Sequence, residues 1–89
     1  LKLKIGGHKY RVIYTDNEKR LCGDNRGLID LETGTIYIHK NLIESERQAA
    51  LLHEILHCIN FEWGEEFVDG LARQLLQVLR DNKLYFGGK

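Results

Sequence analysis

The chain has 89 residues, enough for one domain with one modest core, and its 43% hydrophobic and 29% charged content is that of an ordinary globular protein. Thirteen basic and thirteen acidic side chains cancel to a formal net charge of zero, which argues against nucleic acid or an anionic membrane surface as partner. No apolar run is long enough to span a bilayer, and two cysteines, Cys22 and Cys58, do not make a disulfide framework.

The first residues, Leu1-Lys2-Leu3-Lys4-Ile5, alternate apolar and basic rather than forming the apolar block of a signal peptide, so an intracellular location is expected. Gly6-Gly7 interrupts this alternation, and Tyr10, Val12 and Tyr14 resume it on one parity. Two period-two runs joined by Gly-Gly predict a β-hairpin, because glycine supplies the positive φ angles of a two-residue turn. Thr15 to Arg26 is polar and aperiodic and reads as a surface loop that holds Cys22. Gly27 to Glu32 and Thr35 to Lys40 form a second pair around Thr33-Gly34. Within it Ile36 and Ile38 share one face, and Thr35, Tyr37 and His39 the other. The expectation is a small antiparallel meander of four strands.

Ser45 and Gln48 stand at capping-box spacing, and Ala49, Leu52, Ile55, Leu56 and Ile59 recur at three and four, predicting an amphipathic helix to about Phe61. Gly64 is the natural break. From Glu65 to Asp81, the residues Val68, Leu71, Ala72, Leu75 and Leu79 define a second helix with an inward apolar stripe. The last five residues have no pattern and read as a frayed end. The fold class is therefore α+β, a four-stranded meander packed against two helices in a single domain over residues 1–89.

The first helix carries His53-Glu54-Ile55-Leu56-His57, an H-E-x-x-H pentapeptide. Two histidines four apart lie about 40° from each other after one full turn, so both imidazoles can reach one metal ion. The intervening glutamate can then lie beside a metal-activated water and take its proton, which is the metallopeptidase reading of this motif. Zinc is the expected metal on motif and geometry, one ion per chain, held by three protein ligands with a fourth position open. Asn60 and Trp63 stand where a metzincin carries Gly and His, which excludes that class.

A third ligand must come from elsewhere: His8 and His39 lie on strands, while Glu62, Glu65 and Glu66 cluster where the second helix starts. At about 100° per residue, Glu65 falls roughly 50° from the inward direction of that helix and Glu66 roughly 150°. Glu65 thus points towards the first helix, although an acid in the first turn is also what the helix dipole favours. Asp69, one turn on, is placed either to accept a hydrogen bond from the free ring N–H of a ligating histidine or to pair with Arg73. Cys58 reads as a small buried residue and Trp63 as a plug at the helix junction.

His53-Glu54-Ile55-Leu56-His57 followed by Glu65-Glu66-Phe67-Val68-Asp69-Gly70-Leu71-Ala72 resembles the ImmA/IrrE-type metallopeptidases, above all their minimal phage- and prophage-encoded relatives. The likeness covers nearly the whole chain, with Thr35-Ile36-Tyr37-Ile38 before the motif helix and Leu75 to Asn82 after it. It implies a gluzincin-like enzyme of the bacterial cytoplasm, with His53, His57 and Glu65 as zinc ligands and Glu54 as general base. Only seven residues separate His57 from Glu65, so the turn at Glu62-Trp63-Gly64 has to place the third ligand. The longer relatives carry a helix-turn-helix or other regulatory domain that is not legible here, which leaves the peptide or protein substrate and the oligomeric state open. Strand Thr35 to Lys40 is the expected edge for an extended substrate; Tyr37 and His39 on it either help hold the oxyanion or simply face solvent, and the second reading is favoured. The rival reading is a zinc-bearing structural or regulatory interaction module without turnover. Glu54 argues against it, since a purely structural site needs no carboxylate there.

Overall fold

The structure is a computed structural model that describes residues 1–16 and 26–84. Cys22, most of the expected loop and the tail from Tyr85 lie outside the described residues. Strands β1 (Lys2–Ile5), β2 (His8–Thr15), β3 (Gly27–Asp30) and β4 (Thr35–His39) precede helices α1 (Glu44–Ile59) and α2 (Glu65–Asp81). The fold is α+β, one four-stranded sheet and two helices.

Gly6 and Gly7 turn β1 into β2 with φ of 58° and 86°, values that side-chain-bearing residues rarely adopt and a two-residue hairpin turn requires at both positions. Ile5 then faces His8, and Leu3 faces Tyr10. In the β3–β4 turn the Asp30 carboxylate accepts from the backbone N–H of Glu32 at 3.1 Å, and Gly34 takes φ of 63°.

The strand order corrects the expected meander. It runs β1-β2-β4-β3, with β4 antiparallel to β3 but parallel to β2, Val12 opposite Ile36 and Tyr14 opposite Ile38. Ile36 and Ile38 are fully buried, so their strand belongs in the middle of the sheet, whereas β3, with its exposed Leu28, takes the edge. A parallel pair needs a long crossover, and the chain between Thr15 and Thr35, which includes β3, provides it. Period-two alternation is blind to this, because it reports which face a side chain takes and not which strand lies alongside.

One sheet face carries the main core: Ile5, Tyr10, Val12, Ile36 and Ile38 pack with Ala50 and Cys58 of α1. A second cluster, Leu56 with Val68 and Ala72, joins α1 to α2, and Trp63 closes it at the helix junction. Among the described elements, α2 packs on α1 and on no strand. No helix among the described residues is long and apolar enough to cross a membrane.

Two details of the helices differ from expectation. Ser45 lies inside α1; the residue before the helix is Ile43, in extended conformation and without a side-chain cap, so the capping box does not form. Glu44 and Glu46 in the first turn offset the exposed N–H groups electrostatically instead. The buried stripe is also narrower than the apolar pattern. Helix α1 ends at Ile59, which is exposed, and on α2 Leu71 and Leu75 are exposed while Val68 and Ala72 are buried.

Candidate metal centre

Helix α1 brings His53 and His57 together because their four-residue spacing is nearly one helical turn. Their Nε2 atoms face each other at 3.1 Å. Five residues later the chain has reversed: the Asn60 side-chain oxygen accepts from the Glu62 N–H at 2.9 Å, and Gly64 starts α2 with its carbonyl bonded to the Val68 N–H. Glu65 therefore stands at the first position of α2 and reaches back to both rings. Its Oε2 lies 3.1 Å from His53 Nε2 and its Oε1 2.6 Å from His57 Nε2. Glu66, one residue on, is exposed.

These three donors suit a small divalent cation. Four ligands at zinc–nitrogen distances of about 2.0–2.1 Å stand roughly 3.3 Å apart around a tetrahedral ion. The two separations of 3.1 Å are close to that edge and the third, 2.6 Å, is shorter, and all three donor atoms lie within 4.8 Å of one another. An Nε2–H···Nε2 bond would pair the two rings but leave the Glu65 carboxylate competing for the same proton, whereas a cation is bound by both nitrogens and the carboxylate at once. No other group of ligand-type side chains converges in this way among the described residues. His8 is exposed at the start of β2, and His39 accepts a hydrogen bond from the Asn41 backbone at Nδ1.

Glu54 lies beside the cluster with only 8% of its surface exposed. Burial, and then the negative charge of Glu65, push its carboxyl up to about 7. A cation at the ligands opposes the second effect. The carboxylate packs against Gly27, the first residue of β3: a Cβ at that position would lie 2.8 Å from Glu54 Oε2. Sequence reasoning took Gly27 only as the start of a strand. It is the residue that makes room for the Glu54 carboxylate, and a glycine opening a strand without turning the chain was the available signal.

Asp69 accepts from Arg73 Nε at 3.3 Å, the pairing alternative, while its other oxygen stands 3.5 Å from His53 Nδ1, close to the ring but not hydrogen-bonded to it. Ion pairing extends to Glu46 and Arg26, neither of which the motif predicts. Arg26, Asp69 and Arg73, together with Glu54 and His53, line a cavity of about 180 Å³ between the start of β3 and the two helices.

Three expectations about the surroundings are corrected or refined. Strand β4 is hydrogen-bonded on both sides and offers no free edge; the open edge beside Glu54 is β3. Ile36 and Ile38 face α1, so Tyr37 and His39 point to the opposite sheet face, away from the ligands. Cys58 is buried, with its thiol pushed up by burial, and it hydrogen-bonds Tyr10 in the core.

Comparison with family models, with curated proteins and with solved structures finds no match.

Proposed function

We propose that this protein is a zinc-dependent metallopeptidase, and the observation that carries the reading is a buried carboxylate, Glu54, beside three converging ligand atoms. His53, His57 and Glu65 would hold the ion. Zinc at such a site supplies Lewis acidity, lowering the pKa of water towards about 7 and stabilising charge on a scissile carbonyl. Glu54 takes a proton from the attacking water and returns it to the leaving amine, a role that suits a carboxylate buried beside the ligand atoms. The outer edge of β3, next to Glu54, is where an extended peptide would pair as a further strand. The likeness to the ImmA/IrrE-type enzymes supports the same reading, with a protein substrate in the cytoplasm of a bacterial host and a phage or prophage origin. The competing reading, a zinc-bearing interaction module without turnover, draws on one observation: the Glu65 side chain is 77% exposed, so the centre lies open rather than in a deep cleft.

The test is elemental analysis of the purified protein beside Glu65→Ala and Glu66→Ala, followed by peptide hydrolysis with Glu54→Gln. The expected result is one zinc per chain, bound at least about 100-fold more weakly without Glu65 and unchanged without Glu66, beyond the usual effect of losing an outer partner. Glu54→Gln should keep the metal and lose about 10²–10⁴-fold in turnover. A wild-type protein that takes up no zinc on incubation overturns the proposal. Zinc retention without measurable turnover in wild type leaves the interaction module instead, and turnover indifferent to Glu54→Gln overturns the role of Glu54.

A further inference from the structure

Arg26, Asp69 and Arg73 on the cavity wall belong to a chain of ion pairs, anchored behind it on Glu46, that joins the two helices to the start of β3 and ends beside a ligand-type histidine. Glu46 lies seven residues before His53 on α1, two turns away and about 20° off in phase, so the two side chains share a helix face. Its carboxylate accepts from Arg26 Nη1, immediately before β3, at 2.6 Å. It also accepts both terminal nitrogens of Arg73 on α2, at 3.0 and 3.2 Å, the forked geometry that holds a guanidinium in one orientation. Arg73 directs its remaining nitrogen, Nε, to Asp69 Oδ2 at 3.3 Å. The other Asp69 oxygen then faces His53 Nδ1 at 3.5 Å, with Arg26 Nη2 at 3.7 Å. Two guanidinium groups meet two carboxylates, so the wall is balanced in charge and neither arginine is unpaired for a substrate anion. What the wall does have is direction: each link fixes the rotamer of the next.

We propose that Glu46 is a positioning residue for the metal centre: through Arg73 it fixes Asp69, which holds the His53 ring with its proton on Nδ1 and Nε2 turned to the cation site. This rests on the metal-centre reading above. The physical basis is that the proton position on an imidazole follows the partners its nitrogens face. Glu46 also supplies the forked tie between α1 and α2. It therefore acts on the site twice, through the His53 ring and through the helix pairing that carries Glu65.

Two readouts on the same proteins test the link. In the metal-free protein at about pH 8, in a Glu65→Ala background that removes the carboxylate bonded to His53 Nε2, long-range ¹⁵N–¹H correlation spectra assign the His53 tautomer alone and with Glu46→Gln, Arg73→Met or Asp69→Asn. Competition with a chromophoric chelator gives the zinc affinities of wild type and the same three variants with Glu65 intact. The parent should show the Nδ1–H form. Glu46→Gln and Arg73→Met should each shift it towards an Nε2–H mixture and weaken zinc about 10-fold, at the low end for loss of an outer partner, while helix content stays unchanged. Asp69→Asn should do at least as much. If Asp69→Asn alters tautomer and affinity while both Glu46→Gln and Arg73→Met leave them unchanged, the proposal is overturned and the metal centre stands. A wild type that binds no zinc overturns the metal-centre reading, and the tautomer series then decides the Glu46 link by itself.

Discussion

The two helices contribute to one centre from opposite circumstances. Helix α1 lies between the sheet and α2, and its contributors are covered: the His53 and His57 side chains are 15% and 13% exposed, and Glu54 is buried. Helix α2 packs on α1 alone, and its contributor, Glu65, is largely in solvent. Phe67, Leu71, Leu75 and Val78 share one face of α2 and leave an apolar stripe exposed there. The α1 half of the site is built into the core, whereas the α2 half depends on a small seam, Val68 and Ala72 against Leu56 together with the Glu46–Arg73 fork. The lesson is that the geometry of Glu54 and the two histidines is protected by folding itself, while Glu65 is only as well placed as the helix pairing.

Substitutions on either side of this contrast separate its consequences. The largest effect is expected on the α1 side from Gly27→Ala. The added methyl meets the Glu54 carboxylate at 2.8 Å, and the carboxylate, as the far end of a flexible side chain, moves more easily than the strand. Stability should fall by less than about 1 kcal/mol, while the rate of peptide hydrolysis falls about 100-fold, the cost of moving a catalytic group by an ångström. A melting curve and steady-state kinetics on the same sample check the split, and equal losses in both would show that β3 and not Glu54 had yielded.

On the α2 side, Val68→Ala removes two methyl groups from a fully buried position and should cost about 2 kcal/mol by denaturant unfolding. Ile36→Val in the sheet core should cost about 1 kcal/mol. The decisive comparison is zinc affinity, expected to weaken severalfold for Val68→Ala and to stay at the wild-type value for Ile36→Val. An equal loss for both would mean that α2 is anchored as firmly as α1.

The smallest effect concerns acid stability at the seam. Hydrogen bonds from Arg73 and then Arg26 hold the Glu46 carboxyl down at about 2, against its ordinary value near 4.5. A carboxyl whose pKa is lower in the folded chain stabilises fully above its unfolded pKa, and that contribution is lost as pH falls from about 4.5 through about 2. The stability advantage of wild type over Glu46→Gln should therefore shrink across that window. Because the groups are partly exposed, the change should stay below about 1 kcal/mol, read from urea midpoints at several pH values. A constant difference between the two proteins would show that the pairing is not the source of the effect.

What the sequence determined by itself was whatever follows from spacing along one element. The H-E-x-x-H pentapeptide needs only 3.6 residues per turn to bring His53 and His57 together, and helical phase separates Glu65 from Glu66 in the same way. Gly6-Gly7, Gly64 and the apolar repeats marked the hairpin and the second helix because turns and amphipathic stripes are local properties. Strand order was not local. Burial of Ile36 and Ile38 from both flanks moved β4 to the interior, left β3 as the edge, and turned Tyr37 and His39 away from the site. The limits of the buried stripes were likewise decided by how much of each helix finds a partner, which is why Ile59, Leu71 and Leu75 are exposed. Only the tertiary structure could join Arg26, Glu46 and Arg73 to Asp69, or set Gly27 against Glu54, because ion pairs and close approaches between distant segments leave no periodicity in the chain.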